Sequence, residues 1–491
     1  MKKMMLWGIL LVALIGCSSS DDSLPPAPPS PPVAADVNAQ NFMWRAMNLW
    51  YFWQGDVAAL ADGKNQEDNY ESFLDSYENA EAFFYNICNK HENVVGSDAA
   101  IDRFSFAAED YRDLVNSLAG VSKSNGVEFG LTLIGDSNNV LGYVQYILPN
   151  SDASNKDVQR GEFFTRVNGQ TLTIDNYIQL LFGENDTYTL GFATITDGIV
   201  SDIEKEVSLT KTEFTENPVY LHKVIESGGN KIGYLMYNRF LRDFDDELNE
   251  VFATFKAEGV TDLVLDLRYN PGGAVSSAIA LSSMIYGTET EKLFIKQRWN
   301  NKIQNELTEA QLTDNFVATT TSGTAINTLN LSKVYILATS GSASASELVI
   351  NGLAPYLDVT QIGTKTRGKN EFSITFVDDP ANSFIYNPDR VGSINADVQW
   401  GLQPLCGRNE NADGFSDYTT GLVPDVEFRE DILNLGVLGE TDEPFLAKAL
   451  EQINGGVTKG VNTPLMPVEA FTSSNLNRGT KDKAILTKNI L

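Results

Sequence analysis

The hydrophobic pattern changes period twice along the chain. From residue 37 to 120 apolar positions recur at helical spacing: Met43, Met47 and Trp50, then Tyr70, Phe73, Leu74 and Tyr77, then Tyr111, Leu114 and Leu118. This predicts a small helical module whose aromatics form its core. From 121 to 212 short apolar runs alternate with turn residues, over 127–134, 141–147 and 160–170, the last carrying the turn signal Asn168-Gly169. From 213 onward strand-like runs alternate with helical ones. Strands are expected over 231–236, 263–267, 334–338 and 359–362, and helices carry Leu248, Val251, Phe252 and Phe255, then Ala278 to Ile285, then Leu348 and Leu353. That alternation predicts a mostly parallel sheet with helices on its faces. A short helix around Phe445 to Ile453 closes the domain, and the residues after Gly455, lacking a sustained period, are expected to be a poorly ordered or loosely docked tail.

The first 36 residues belong to neither pattern. Lys2-Lys3 precede an apolar run from Met4 to Ile15, shorter than the roughly 20 residues of a membrane span and shaped like a secretory signal. Residues 24–32 hold six prolines and favour an extended polyproline spacer. The expected fold class is therefore multidomain α+β. It comprises a signal over 1–16, a tether over 17–36, a helical module over 37–120, a β-rich domain over 121–212, an α/β domain over 213–455 and a tail over 456–491.

Composition narrows the chemistry. At 491 residues, two to four cores are expected. A net charge of −29 argues against a nucleic-acid partner. Only His91 and His222, with Cys17, Cys88 and Cys406, are present, none at ligand spacing, so neither a metal nor a cofactor is expected. Either histidine could serve as a base in principle, but neither has a nucleophile and an orienting partner in its local sequence. Cys88 and Cys406, in different expected domains, are read as independent buried thiols.

One stretch places reactive groups where a strand passes into a helix: Ser340-Gly341-Ser342-Ala343-Ser344-Ala345-Ser346-Glu347. Its serines could equally be helix N-caps. A serine nucleophile needs a base, and a lysine can be that base only when neutral, which withdrawal from water and nearby positive potential favour. Lys365 and Lys369 lie in the next post-strand loop, and Asn270-Pro271-Gly272-Gly273 offers backbone N–H groups that could receive an oxyanion.

Three resemblances follow from these strings. Leu14-Ile15-Gly16-Cys17 resembles a bacterial lipoprotein signal, which implies lipidation of Cys17, and Ser18 to Asp22 looks like the acidic export tag of some surface lipoproteins. The implied location is a lipid anchor in the cell envelope, at the outer membrane, facing the periplasm or the surface. The segment Gly161-Glu162 with Val167-Asn168-Gly169-Gln170 resembles a PDZ domain of bacterial proteases, which implies that Phe129, Gly130, Leu131 and Thr132 form the loop holding a peptide carboxylate.

Finally, Asp266 to Gly273, Gly341 to Glu347, Gly363 to Lys369 and Gly421 to Asp425, in that order, resemble the C-terminal processing peptidases, tail-specific serine proteases with a Ser-Lys dyad. That resemblance implies a catalytic domain of the ClpP/crotonase-like type, Ser344 as nucleophile and Lys369 as general base. It also implies Ala345, Gly273 and Gly272 as oxyanion donors and polypeptides, bound by their C-termini, as substrates. The family often carries Gln or Glu four residues after the lysine. Here that position is Ser373, leaving Ser373 or Glu371 as the third member. The rival expectations are a non-catalytic peptide- or ligand-binding protein of the same fold and a structural envelope scaffold.

Overall fold

The computed structural model of the protein describes residues 37–456, 470–477 and 484–485. The signal, the tether and Cys17 lie outside the described residues. Among those described, no helix is long and apolar enough to cross a membrane.

The first helix, α1 (Asn38–Trp50), buries far more than one stripe: Phe42, Met43, Trp44, Ala46, Met47, Leu49 and Trp50 are all inside. A helix apolar on most sides must be wrapped by other elements. Trp50 packs against Trp299 and Phe376, with ring centroids 6.1 and 5.6 Å away, and its Nε1 donates to Ser383 O at 2.8 Å. The helical module thus shares one continuous core with the α/β domain. Cys88 and Cys406 are both free and buried.

Residues Val121–Ser124 pair antiparallel with Thr212–Thr215, so the β-rich domain is entered and left at one point. Between them β1 (Val127–Leu133), β2 (Val140–Ile147), β3 (Phe163–Val167), β4 (Thr187–Thr196) and β5 (Ile199–Thr210) form an antiparallel sheet in sequence order. Phe129, Leu131, Val144, Phe164 and Phe192 fill its core.

The α/β domain opens with the hairpin β6 (Val219–Ser227) and β7 (Asn230–Tyr237), followed by α2 (Asp245–Glu258), β8 (Asp262–Asp266), β9 (Gly273–Ala274) and α3 (Val275–Ile285). Next come β10 (Leu293–Trp299), β11 (Lys333–Ala338), α4 (Ala345–Leu353) and β12 (Asp358–Gly363). The domain continues with β13 (Glu371–Ser373), β14 (Leu405–Asn411), β15 (Val426–Glu427) and α5 (Pro444–Ile453). The main sheet has the order β6-β7-β8-β11-β12-β15 and is parallel from β7 onward.

Both faces of this sheet are covered, and the strands alternate accordingly. Leu263, Leu265, Val334 and Ile336 join the core under α2, α3 and α4, whereas Val264, Tyr335 and Leu337 face α5. This is why the strands read as unbroken apolar runs. Gly259, with φ of 73°, ends α2 in the left-handed conformation that favours glycine. In the second sheet β9, β13, β14 and β10 lie in that order, with one further strand between β9 and β13.

Of the tail expected to be poorly ordered or loosely docked, the described part is docked in short pieces. Thr472–Ser473 forms β16, Ser474–Asn477 a helical turn, and Ala484–Ile485 forms β17, the strand between β9 and β13. Periodicity could not reveal these pieces, because each is too short to contain a period and is held by pairing with distant strands.

Candidate active site

The serine stretch is a sharp passage from β11 into α4. Ser344 caps the helix with φ of 60° and ψ of −110°, a conformation costing about 1–3 kcal/mol in a non-glycine residue unless its surroundings enforce it. Here the neighbouring serines do so. Ser342 Oγ donates to Leu267 O at 2.7 Å and accepts from Thr339 N at 2.9 Å, and Ser346 Oγ donates to Asn270 O at 3.0 Å. Ser344 is 1% exposed and its Oγ has no hydrogen-bond partner. Of these three hydroxyls, two hold the backbone and one is uncommitted.

The glycine turn lies against that hydroxyl. Arg268, fully buried, reaches Asp266 at 2.7 Å and Glu443 at 2.7 Å, fixing the end of β8 from which the turn departs. Gly272 has φ of 105°, and a Cβ there would stand 2.8 Å from Ser344 Cβ and 3.1 Å from Ala345 N, so only glycine lets the turn approach this closely. The Gly272 N–H, however, donates to Asn270 Oδ1 at 2.8 Å. It is committed to shaping the turn, which corrects its expected role as an oxyanion donor. Ala345, the first residue of α4, has no intrahelical acceptor for its N–H. Gly273 lies in β9 at the far end of the turn.

Lys369 is 1% exposed, with Nζ 5.2 Å from the centroid of Phe104. Its loop is tied to α4 by Glu347. Oε1 of Glu347 accepts from Thr366 Oγ1 and Gly368 N, both at 2.6 Å, and Oε2 accepts from Lys369 N and Ser344 N, both at 2.8 Å. Burial pushes the Glu347 carboxyl up to about 7, against the pull of these four donors. From the helical module, Arg103 Nη2 donates to Gly368 O at 2.6 Å and to Thr419 O at 2.7 Å.

The two candidates for a third member separate. Ser373 Oγ donates to Gln403 Oε1 at 2.5 Å. Glu371 is buried and paired with Arg408 at 3.0 Å. Burial raises its carboxyl, and the charges of Arg408 and Lys369 oppose that rise, so Glu371 is the one within electrostatic reach of the lysine.

The histidines stand elsewhere. His91 is buried, with Asn93 N donating to Nδ1 at 3.0 Å and Nε2 consequently donating to Ser105 O at 2.7 Å, and His222 lies on β6 against Phe255. Phe129, Gly130, Leu131 and Thr132 are not a loop. They lie inside β1, where Phe129 and Leu131 point into the domain core. Among the described residues no cluster of His, Cys, Asp or Glu could hold a metal ion.

Glu347, Phe104 and Arg103 escaped the sequence reading. Glu347 stands three residues after Ser344, the spacing of a capping box, and was open to detection. Nothing local marks Phe104 and Arg103, which arrive from another module.

Fold and site together define a multidomain α+β protein with a strained serine where a central strand passes into a helix. Residues 231–385 match the profile of Peptidase family S41, and residues 38–106 that of the Peptidase S41 N-terminal domain. The "Probable CtpA-like serine protease" of Staphylococcus aureus (strain COL) is 26% identical over 325 residues, covering 64% of this chain and 59% of the relative. The like-named protein of Staphylococcus epidermidis (strain ATCC 35984) is 25% identical over 225 residues, 45% of this chain and 41% of the relative. The chain thus spans less than two thirds of the length of these relatives. A crystal structure from Bacteroides fragilis, assigned to the S41 proteases, superimposes with a TM-score of 0.63 at 26% identity, covering 85% of this chain and 97% of that one. Both profile matches are to peptidase family S41, so the chain is similar to that family over the helical module and the first part of the α/β domain.

Proposed function

We propose that the protein is a serine endopeptidase using a Ser344–Lys369 dyad. The observation that carries this reading is the uncommitted Ser344 hydroxyl on a left-handed helix cap whose backbone shares Glu347 with that of Lys369. Ser344 Oγ attacks a peptide carbonyl carbon while the neutral Lys369 amine takes the hydroxyl proton. The carbonyl oxygen becomes an oxyanion facing the N–H groups of Ala345 and Gly273. Collapse breaks the C–N bond, Lys369 returns the proton to the leaving amine, and the acyl group stays on Ser344. Water, deprotonated by the same amine, then releases the acid. Glu371 is read as the group that orients the lysine, a reading supported by the pull of the Lys369 charge on its carboxyl.

The β-rich domain is read as PDZ-like, with β1 the strand to which a polypeptide C-terminus adds. Cys17 is read as the lipidated residue, anchoring the protein in the bacterial envelope at the outer membrane. Substituting Cys17→Ala and measuring release from the membrane fraction tests the anchor.

Hydrolysis of a library of peptides differing at their C-termini tests the activity and the tail preference together. Full turnover by Ser344→Ala and Lys369→Ala would overturn the dyad. Loss in Ser342→Ala equal to that in Ser344→Ala, with the fold intact, would move the nucleophile.

A further inference from the structure

The peptide-docking strand is already occupied. β16 pairs antiparallel with β1, Thr472 opposite Leu131 and Ser473 opposite Gly130. Phe471 N–H donates to Leu131 O at 3.0 Å. Side chains extend the fit. Ser474 Oγ accepts from Phe129 N at 3.0 Å and donates to Glu128 Oε2 at 2.6 Å, and Ser474 and Asn475 are both buried. The Phe471 ring meets Tyr177 edge-on at 5.4 Å, and Tyr177 opens the helical turn Ile178–Phe182, whose Phe182 packs on Phe129 at 5.9 Å. The segment therefore lies in the groove between β1 and the flanking helix, where an added peptide strand gains both main-chain bonds and a side-chain pocket.

The same segment reaches toward the chemistry. Asn475 Nδ2 donates to Tyr146 OH at 3.1 Å and to Tyr269 O at 3.3 Å, the carbonyl just before Asn270 in the glycine turn. β17 then pairs in parallel with β9, Ala484 opposite Gly273 and Ile485 opposite Ala274, and its other edge meets Ser373. A cavity of about 610 Å³ lies between the domains, bounded by Tyr143 and Gln145 of the β-rich domain, Gly341 and Thr366 of the serine and lysine loops, and Phe471 and Thr472 of the tail. Ser344 and Lys369 are not in its wall. It lies between the β-rich domain and the serine and lysine loops, and the tail forms one side of it.

We infer that the C-terminal tail, through Phe471 to Asn475 and Ala484-Ile485, is an intramolecular competitor that occupies the polypeptide track from the docking strand to the Gly273 turn. This rests on the reading of the protein as a peptidase with a peptide-docking β1. An incoming polypeptide must displace the tail, so its apparent affinity is reduced by the fraction of time the track is empty. The occupant is specific: Ser474 answers Glu128 and Phe471 answers Tyr177, contacts that backbone pairing alone would not require.

The test uses the full chain and the double variant Phe471→Ala, Ser474→Ala, which removes both side-chain contacts and leaves β17 in place. A second form ends at Gly456. Both should cleave a fluorogenic polypeptide with KM lowered about 10-fold if the track is empty about a tenth of the time, with kcat little changed. A synthetic peptide of residues 470–477 should then inhibit the double variant competitively. Binding of a fluorescent C-terminal peptide to Ser344→Ala, with and without the double variant, needs no catalysis. Tighter binding on loosening the tail supports the inference even if the peptidase reading fails. Unchanged KM and unchanged peptide binding in a folded double variant overturn it while leaving that reading intact. The thermal midpoint of each form identifies a misfolded chain, for which the double variant, retaining both strands, is the arbiter.

Discussion

Ser344 and Lys369 donate their backbone N–H groups to the same atom, Oε2 of Glu347, each at 2.8 Å. The two residues proposed as nucleophile and base thus keep their relation through a third side chain, which holds both from behind. Glu347→Ala should leave a folded protein whose kcat falls about 10²-fold, the effect of displacing a reacting group by about 1 Å, with KM less affected. Glu347→Gln, which retains one acceptor oxygen, should recover part of the loss. Steady-state kinetics on both variants decides, and an unchanged kcat in Glu347→Ala would remove Glu347 from the site.

The neighbouring serines should divide by consequence. Ser342→Ala removes a hydroxyl bonded to Leu267 O and Thr339 N, and should lower unfolding stability by about 1–2 kcal/mol while hydrolysis persists. Ser344→Ala removes a hydroxyl with no partner, so stability should stay within error while activity falls at least about 10³-fold. Urea denaturation alongside activity measures both.

Arg103 gives the helical module a part in the site. Its bonds to Gly368 O and Thr419 O bracket the residue before the lysine. Arg103→Ala should reduce kcat/KM about 10-fold, the rate equivalent of one charge-assisted hydrogen bond. Arg103→Lys, which keeps the charge but loses the fork, should fall between.

Asp245, at the start of α2, has its carboxyl raised to about 7 by burial. Between about pH 4 and 7 the folded chain holds a proton that the unfolded chain has released. Its contribution to stability is therefore full below the unfolded value and lost as pH rises through about 7. Asp245→Asn should flatten the fall in stability between pH 5 and 8 by something on the order of 2 kcal/mol. Denaturation midpoints at the two pH values check the sign.

The alternation of strands and helices was readable because burial on both faces leaves a physical trace in each strand. Leu263, Val264 and Leu265 are all apolar since one face meets α2 and α3 and the other α5. The proposed nucleophile could be singled out only through the resemblance. What separates Ser344 from Ser342 is a backbone angle and two hydrogen bonds, neither of which four similar serines record in sequence. Gly272 was misjudged for a related reason: a glycine in a turn shows that the backbone approaches something closely, not whether its N–H remains available. The pieces of the tail were not anticipated because β16 and β17 are two residues each and owe their form to partners more than a hundred positions away.

The bond from Arg103 to Thr419 spans 316 residues of sequence, and that from Trp50 to Ser383 spans 333. During synthesis, then, residues from the first quarter of the chain wait for the last quarter before the lysine loop can be clamped. A nascent chain that already displays its serine helix has no assembled dyad. Chains stopped before Thr419 lack that acceptor, so the loop carrying Lys369 should gain its full set of holds only once the last quarter of the chain has folded against the first.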